Sequence, residues 1–359
     1  MNLKDRMIIE DYRKNRDSFI RLGDIVHEKL QEITKRSYIE VMTVEHRVKS
    51  EASLEEKLER KGDQYQSLDD LTDILGARII CFFEDDVDAI GKMVEETFAV
   101  DWDNSSDKRA LIKADAFGYL SLHYICSLPF NAGYPEELCG KRFEIQIRTN
   151  LQHTWSAIQH DLGYKTPFGV PREITREFAR VAGLLEVADA EFVRVREKMK
   201  TYEDDTRRKI TENHAADISV NLVSLREYMR LNGSMREFLN KLASFSNAEI
   251  QEVEPESYIE QLLWLNVRTL GDLQKMLERD AVPALELAEQ TLRYSELDII
   301  SSTAALRYLC RAELLRGGYT KEQAVEFLMI SLRDRQRAER QAEMLFRSSN
   351  NNIGEGNKT

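Results

Sequence analysis

Hydrophobic and polar residues alternate from Phe143 to Thr149, and hydrophobic residues then recur at helical spacing as far as Lys165. A period of two is typical of a strand with one buried face. The apolar positions of this strand are Phe143, Ile145 and Ile147, and its polar positions are Glu144, Gln146 and Arg148. One side of the predicted helix is an apolar stripe of Leu151, Trp155, Ile158 and Leu162. The opposite side carries His153 and His160. On this pattern alone, the simplest interpretation is an ordinary edge strand followed by an amphipathic helix.

The residues before this stretch predict alternating helices and strands. The predicted elements are a helix over 5–37, an extended segment over 41–49, a helix over 50–61, a strand over 75–83, a helix over 85–98, a charged loop over 101–115 and a strand over 117–128. Residues 75–83, with the sequence LGARIICFF, form a nearly continuous apolar run. Such a run is typical of a central strand that is buried on both faces.

The residues after 165 predict helices almost throughout. The predicted helices cover 173–202, 204–231, 234–245, 254–264, 269–278, 281–294, 297–316 and 319–347, with a turn at Asn232-Gly233. One of these helices carries an apolar stripe that contains Ile299, Thr303, Leu306, Cys310 and Leu314. Such stripes require a partner surface, either within the chain or on a second copy. The polar tail over 348–359 is predicted to be disordered.

Composition places the chain among soluble globular proteins. Its 359 residues are 42% hydrophobic and 32% charged, and they suffice for two domains. No apolar run reaches membrane-spanning length, and the N-terminus lacks a signal-peptide core, so we expect a cytoplasmic protein. The four cysteines are scattered without zinc-site spacing, which indicates reduced thiols. A formal charge of −12 argues against general nucleic-acid binding but allows a local basic pocket.

Positive side chains concentrate in residues 47–61. Arg47 and Lys49 belong to the extended segment, and the following helix separates its charges by side, with Ser53, Lys57, Arg60 and Lys61 opposite Glu51, Glu55 and Glu59. One interpretation is a solvated helix with Glu–Lys pairs. However, segregated cations on converging elements favour a polyphosphate site, because phosphate oxygens bind best to fixed positive donors.

Two further positions have alternative interpretations. Asp73 lies just before the buried strand over 75–83, where a carboxylate either caps a turn or binds a metal ion. Tyr119 follows Gly118 on the strand that also carries His123. A tyrosine at that position either packs in the core or provides a surface on which a base stacks.

Five segments, in their order and spacing, resemble the RelA/SpoT-type alarmone synthetases, and in particular the small stand-alone members. These segments are RVKSEASLEEKLERK, TDILGARI, FGYLSLH, EIQIRT and HTWSAIQHDLGYK. The resemblance covers about residues 40–165. It implies transfer of a pyrophosphoryl group from ATP to the 3′-hydroxyl of GDP or GTP, which makes ppGpp or pppGpp.

The resemblance also implies roles for individual residues. Asp73 and Glu144 correspond to the catalytic carboxylates that bind Mg²⁺, and Glu144 also accepts the 3′-hydroxyl proton. The implied ATP-binding residues are Arg47, Lys49, Ser53, Lys57, Arg60 and Arg78, of which Arg47 and Arg78 sandwich the adenine. The implied acceptor-binding residues are Tyr119, His123, Gln146, Arg148, Lys108 and Arg109, with Tyr119 stacking on guanine.

Three positions depart from the family pattern. Leu120 stands where many synthetases carry Gln or Arg, Gln159 where small synthetases have Glu, and His153 where some have Asn. Because these changes concern the acceptor side, the acceptor stays open between a guanine nucleotide and the 3′ end of tRNA, as in toxic relatives. The acidic charge disfavours tRNA. A catalytically silent nucleotide sensor is the second alternative, and the presence of both carboxylates weighs against it.

We therefore predict an α+β fold in which a mixed, nucleotidyltransferase-like sheet flanked by helices is followed by an all-α module. The predicted regions are a synthetase domain over 1–203, a helical module over 204–347 and a tail over 348–359. The expected ligands are ATP, GDP or GTP and Mg²⁺. We expect a homo-oligomer, because the helical module has apolar stripes to cover, with partner sensing as the alternative.

Overall fold

The computed structural model describes residues 2–107, 121–130, 132–164, 171–293, 295 and 297–355. The chain divides into two units, Met1–Glu197 and Lys198–Thr359. The first contains a mixed sheet with helices and the second is mostly helical, which confirms the predicted α+β class. The cysteines are free thiols. Within the described ranges, no helix combines the length and the apolarity that crossing a bilayer requires.

The first unit alternates helices and strands along the chain. Its elements are α1 (Leu3–Arg36), β1 (Val41–Val48), α2 (Glu51–Lys61), β2 (Leu75–Cys81), α3 (Glu84–Thr97), β3 (Ala99–Asp107), β4 (Leu122–Ser127), β5 (Phe143–Thr149), α4 (Asn150–Tyr164) and α5 (Arg172–Thr211), which runs on into the second unit. The five strands form one sheet in the order β1-β2-β5-β4-β3. The central pair β2 and β5 is parallel, and the other pairs are antiparallel.

Helix α1 closes one side of the core of the first unit. It begins with a capping box in which Asn2 and Asp5 bond each other's backbone N–H groups. Its buried positions recur every three or four residues, at Ile8, Ile9, Tyr12, Phe19, Leu22, Val26, Leu30 and Ile33. A side chain at Gly23 would meet the His46 ring of β1 at 2.7 Å, so the glycine permits the close approach of helix and sheet. The apolar faces of β2 and β5 complete this core.

The prediction of a charged loop over 101–115 is wrong for residues 101–107, because these residues belong to strand β3, which extends from Ala99 to Asp107. This strand lies at the edge of the sheet and pairs with β4, with a shift of register between Asp101 and Ser106. Charged side chains are favoured on an edge strand because they discourage pairing with another chain, which accounts for the polar sequence of β3. Residues 108–120 lie outside the described part of the chain.

The predicted core stripe of α4 is only half correct. Trp155 is buried and its indole N–H donates to the carbonyl oxygen of Phe178 on α5 at 3.2 Å, but Ile158 and Leu162 are exposed. At the start of the helix, the buried Gln152 accepts from the backbone N–H of Thr149 at 3.0 Å. The helix therefore uses its first turns for packing and exposes apolar residues in its later turns.

Asp189 is a buried carboxyl group of α5 where β5 passes into α4. It is 1% exposed, and the Thr149 hydroxyl donates to its Oδ2 at 2.7 Å. Among the described residues its Oδ1 has no hydrogen-bond partner. Burial raises the pKa of Asp189 to about 6, against the effect of the Thr149 hydrogen bond.

This raised pKa predicts a loss of stability as the pH rises. The folded protein keeps a proton that the unfolded chain releases near pH 4, so the stabilisation is complete below about pH 4 and is lost as the pH passes about 6. In Asp189→Asn this dependence should disappear, so the difference in Tm between variant and wild type should change between about pH 5 and about pH 8. The exposed Glu186→Gln on the same helix is the control and should follow the wild type. Identical pH trends for Asp189→Asn and the wild type would contradict the assignment.

The second unit is a set of packed helices with one small sheet. Its elements after α5 are α6 (Leu222–Leu231), α7 (Gly233–Ser244), β6 (Glu249–Gln251), α8 (Glu256–Trp264), α9 (Leu270–Leu292), β7 (Ile299–Ser301), α10 (Ala304–Arg316), α11 (Lys321–Leu332) and α12 (Arg335–Glu355). Strands β6 and β7 pair in parallel. Helix α12 extends into the segment 348–359 for which the sequence predicts disorder, and residues 356–359 lie outside the described part.

Several predicted boundaries in this unit are wrong. One helix covers 172–211 where the sequence predicts a break near residue 203, because the charged run there forms i,i+3 ion pairs such as Asp205–Arg208 on a helical surface. Helices predicted over 269–278 and 281–294 form the single helix α9, which continues through Pro283. Residues 299–301 are a strand rather than the start of a helix.

The predicted helix over 319–347 is likewise two helices. Arg333 has a φ of 50° and ends α11 in the left-handed conformation. Asp334 then accepts from the N–H of Arg337 at 3.0 Å at the start of α12. Two polar residues, Arg333 and Asp334, therefore divide what looks like a continuous periodic pattern.

The stripe that the sequence singles out in this unit is covered by the unit itself. Leu306, Cys310 and Leu314 are buried in its core, whereas Ile299 lies on β7 and is exposed. This stripe therefore leaves no surface on α10 for a second copy.

Candidate active site

Polar side chains form a row across one face of the sheet in the first unit. On β5, Glu144, Gln146 and Arg148 alternate with buried apolar residues, as predicted. The register sets Gly76 of β2 beside Glu144, and Arg78 beside Gln146. Arg47 of β1 pairs with Gly76, and His123 of β4 pairs with Gln146. Four strands thus contribute to one polar surface, although their polar residues are far apart in the sequence.

A cavity of about 140 Å³ opens on this face. Its lining residues are Arg47, Lys49, Asp73, Gly76, Ala77, Arg78, Glu144 and Gln146. A β-carbon added at Gly76 would meet no other atom within 4 Å, so this glycine leaves the floor between Arg47 and Glu144 open. Both carboxylates predicted from the sequence, Asp73 and Glu144, therefore lie in the same cavity.

Asp73 is held by two lysines. Its Oδ1 lies 2.7 Å from the Nζ of Lys57 on α2, and its Oδ2 lies 3.1 Å from the Nζ of Lys49. Burial opposes ionisation of Asp73, but the hydrogen bond from Lys57 and the positive charge of Lys49 together hold its pKa below the usual range. Asp73 is therefore an ionised carboxylate with its negative charge directed at two cations.

The backbone fixes the end of β1 next to the turn that carries Asp73. The N–H of Lys49 donates to the carbonyl oxygen of Ile74 at 2.8 Å. The hydroxyl group of Tyr12 on α1 donates to the carbonyl oxygen of Lys49. Lys49 and Asp73 are thus positioned by main-chain contacts as well as by their ion pair.

Glu144 lies at the centre of a hydrogen-bond chain. The Nδ1 of His123 is 2.8 Å from its Oε1, and the amide nitrogen of Gln146 donates to its Oε2 at 2.7 Å. Arg148 in turn donates to the amide oxygen of Gln146. Burial works against ionisation of Glu144, but the hydrogen bond and the charge of His123 lower its pKa, as does Gln146.

The two carboxylates are close enough to interact, because the negative charge of Asp73 works to raise the pKa of Glu144. A divalent cation between such groups would relieve this repulsion. Carboxylate oxygens are the donors that Mg²⁺ prefers, and it is usually bound by one or two carboxylates together with substrate phosphates and water. Within the described ranges, no group of three or more His, Cys, Asp or Glu residues is arranged for a metal ion. The donor set therefore fits a cation that completes its shell with phosphate oxygens.

The structure separates some of the residues for which ATP binding was predicted. Arg47, Lys49 and Arg78 line the cavity, and Lys57 reaches Asp73. Ser53 lies in the first turn of α2, where its Oγ is 2.8 Å from that of Ser50. Arg60 lines a different cavity, of about 570 Å³, which also includes Asn2, Asp5 and Lys61. The geometry therefore does not place Arg60 beside Arg47, Lys49 and Arg78, and Ser53 does not line the cavity either.

The acceptor side is less completely described. His123, Gln146 and Arg148 belong to the hydrogen-bond chain around Glu144. Tyr119, Lys108 and Arg109, for which acceptor contacts were predicted, lie outside the described residues, as does Leu120.

Two further residues lie near the site: Tyr65, which the sequence did not single out, and His153, which it marked only as a departure from the family pattern. The ring of Tyr65 lies 5.2 Å from the Nζ of Lys57. The pKa of His153 on α4 is lowered by burial and by the charges of Arg148 and Arg78. The effect of these two charges indicates that His153 lies near the polar face of the sheet. Its Nδ1 is buried without a hydrogen-bond partner among the described residues. The helical phase of His153, opposite the Trp155 stripe, was the available signal for its position.

Comparisons with known proteins match the region that contains this site. Residues 46–168 match the family described as "Region found in RelA / SpoT proteins". The chain is 30% identical to the GTP pyrophosphokinase YjbM of Bacillus subtilis (strain 168), over 42% of this chain and 69% of that protein. It is also 30% identical to the GTP pyrophosphokinase YwaC of the same strain, over 44% of this chain and 75% of that protein.

The comparison with solved structures finds the small alarmone synthetase 1 from Bacillus subtilis. That chain is 26% identical, is covered over 99% of its length against 54% of this chain, and has a TM-score of 0.45. A GTP pyrophosphokinase family protein from Streptococcus pneumoniae is 27% identical, with coverage of 97% of that chain and 56% of this one and a TM-score of 0.45. With the family match over residues 46–168 and 30% identity over most of two family members, this chain belongs to the RelA/SpoT family.

Proposed function

We propose that the first unit is an ATP-dependent pyrophosphokinase that makes ppGpp or pppGpp from GDP or GTP. The observation that carries this proposal is the single cavity in which Asp73 and Glu144 face Arg47, Lys49 and Arg78. Ionised carboxylates beside fixed cations suit a metal-bound triphosphate. Two relatives that carry the name GTP pyrophosphokinase support the same reaction class.

The donor nucleotide would occupy the β1–β2 side of the cavity. Arg47 and Arg78 lie on these neighbouring strands, and we assign their guanidinium planes to the adenine. Lys49 and Lys57 would contact the phosphates. Both ammonium groups contact the Asp73 carboxylate, so they converge on one position in the cavity. Asp73 and Glu144 would hold Mg²⁺, which when bound supplies neutralisation of the triphosphate charge.

Glu144 would act on the acceptor. It accepts the proton of the 3′-hydroxyl group as the 3′-oxygen forms a bond to the β-phosphorus of ATP. The bond from that phosphorus to the α,β-bridging oxygen breaks, and AMP leaves with its electron pair. His123 and Gln146 hold one carboxylate oxygen each, so they orient Glu144 without being consumed. Most of the rate enhancement in this proposal comes from positioning and charge neutralisation.

Incubation of the purified chain with labelled ATP, Mg²⁺ and separate acceptors tests this function. We expect labelled product with GDP or GTP and none with tRNA, because the chain carries a net charge of −12. Label transferred only to tRNA would favour the toxic-synthetase alternative. An absence of transfer to every acceptor, with ATP binding retained, would favour a silent sensor.

We also propose that the chain forms a homo-oligomer through α5. Val181, Leu184, Phe192 and Val195 lie on one side of this helix at spacings of three, eight and three residues, and all are exposed. An exposed apolar stripe on a helix of 40 residues requires a covering surface, and a second copy of the same stripe would supply one.

Introducing a charge into this stripe should dissociate the oligomer. Phe192 is 51% exposed, so Phe192→Glu removes apolar area without disturbing the core, and we expect a lower mass by light scattering. Val187→Glu is the matched control, because Val187 is 61% exposed on the same helix but lies away from the stripe. Equal masses for wild type, variant and control would contradict the proposed interface.

A further inference from the structure

The second unit contains a cavity of about 300 Å³ between α9, α10 and α12. Its lining residues are Leu287, Gln290, Thr291, Tyr308, Arg311, Gln341, Met344 and Leu345. A volume of this size is at the lower end of the range for sites that take small molecules. None of these residues has a role in the reaction proposed above.

Among the described residues, no carboxylate balances the positive charge at this cavity. A nitrogen of the Arg311 guanidinium donates to the amide oxygen of Gln341 at 3.0 Å, which is a neutral partner. Arg307, one helical turn earlier, has a buried Nε without a hydrogen-bond partner. Across the described ranges, neither arginine forms an ion pair with a carboxylate, although Arg316 on the same helix pairs with both Asp280 and Glu313.

The pKa of Arg311 shows the same imbalance. Burial lowers it, and the positive charge of Arg307 lowers it further. Neither Tyr258 nor Cys310 supplies a negative charge, because burial raises the pKa of both groups and keeps them neutral near pH 7.

Contacts with the Tyr308 ring offset part of the cost of this arrangement. The guanidinium carbon of Arg307 lies 5.1 Å from the ring centroid, and that of Arg311 lies 6.0 Å from it. A cation–π contact stabilises a charge modestly, whereas two guanidinium groups close together and partly removed from water call for a counter-ion. Although the chain has 63 acidic residues, none of those in the described ranges forms an ion pair with either arginine.

We propose that this cavity, which we call the α10 pocket and define by its lining residues, binds a small phosphorylated molecule of mononucleotide size. The guanidinium of Arg311 would bind the phosphate in its planar, two-pronged geometry. The amides of Gln290 and Gln341 offer further polar contacts, and Leu287, Met344 and Leu345 provide apolar surface for the body of the ligand. The proposal is independent of the reaction assigned to the first unit.

Titration calorimetry on the full chain, with AMP, inorganic phosphate and adenosine as probes, tests the α10 pocket. Gln341→Glu is the principal variant, because it places a carboxylate next to Arg311 and fills the counter-ion position from within the protein. Arg311→Gln removes the charge itself. The exposed Arg337→Gln on α12 is the control, since it removes one positive charge outside the pocket.

We expect AMP to bind the α10 pocket of the wild type and of Arg337→Gln with the same affinity. In Gln341→Glu and Arg311→Gln, the affinity of this site for AMP should fall by a factor of at least about ten. Gln341→Glu should also have the higher Tm without ligand, which shows that it is folded. Phosphate binding with the same pattern would support recognition of the anion alone. The proposal is overturned if AMP binds Gln341→Glu as it binds the wild type, or if adenosine binds the α10 pocket as tightly as AMP.

Discussion

Replacing Glu144 with Gln is expected to reduce pyrophosphoryl transfer by about 10²-fold or more, the usual contribution of a positioned general base. The amide keeps the shape of the side chain and its contact with Gln146, but it cannot accept the 3′-hydroxyl proton and is a poorer ligand for Mg²⁺. Because Glu144 is on the polar face of β5, the fold should be unaffected.

The measurement is the steady-state rate with saturating ATP and GDP, alongside circular dichroism and Tm. Glu59→Gln on the exposed side of α2 is the matched control and should retain wild-type turnover. Near-normal turnover by a folded Glu144→Gln protein would exclude a role for this carboxylate in either proton transfer or metal binding.

Replacing Asp73 with Asn is expected to lower turnover by a similar factor of about 10² or more, for a different reason. The change removes one of the two proposed Mg²⁺ ligands, and it also releases Lys49 and Lys57 from their ion pairs. The freed ammonium groups can contact phosphates directly. We therefore expect ATP to bind without Mg²⁺ at least as tightly as it binds the wild type, although it is not turned over.

Two measurements check this combination: ATP binding by calorimetry with and without Mg²⁺, and turnover as a function of Mg²⁺ concentration. Asp69→Asn, an exposed position in the preceding segment, is the control and should resemble the wild type in both. Should Asp73→Asn show full turnover at the Mg²⁺ concentration that the wild type requires, Asp73 would not be a metal ligand. Loss of ATP binding together with a lowered Tm would instead identify it as a structural residue.

Much of the first unit follows from local pattern. The periods of the sequence place α1, β1, α2, β2, α3, β5 and α4 close to where the structure has them. The alternation in β5 also fixes which side chains share a face, so the sequence predicts that Glu144, Gln146 and Arg148 lie on one polar face. This is possible because side-chain direction within a strand depends only on the backbone period.

Tertiary structure decided what that face meets. No periodicity in the sequence states that β2 lies parallel to β5, yet this pairing brings Gly76 and Arg78 beside Glu144 and Gln146. The contact of His123 with Glu144 depends in the same way on β4 being the neighbour on the other side. Pairing partners are set by long-range contacts, which the local sequence does not encode.

In the second unit, the sequence by itself determined that the chain is mostly helical and which apolar positions form its core. The tertiary structure decided where the helices end and which charges are neutralised. A chain of i,i+3 ion pairs carries α5 past its predicted end, and a single left-handed residue, Arg333, divides a pattern that looks continuous. Likewise, the sequence does not distinguish Arg311 from Arg316. In the structure Arg316 forms ion pairs with Asp280 and Glu313, whereas Arg311 bonds to the neutral Gln341, because charges interact through space rather than along the chain.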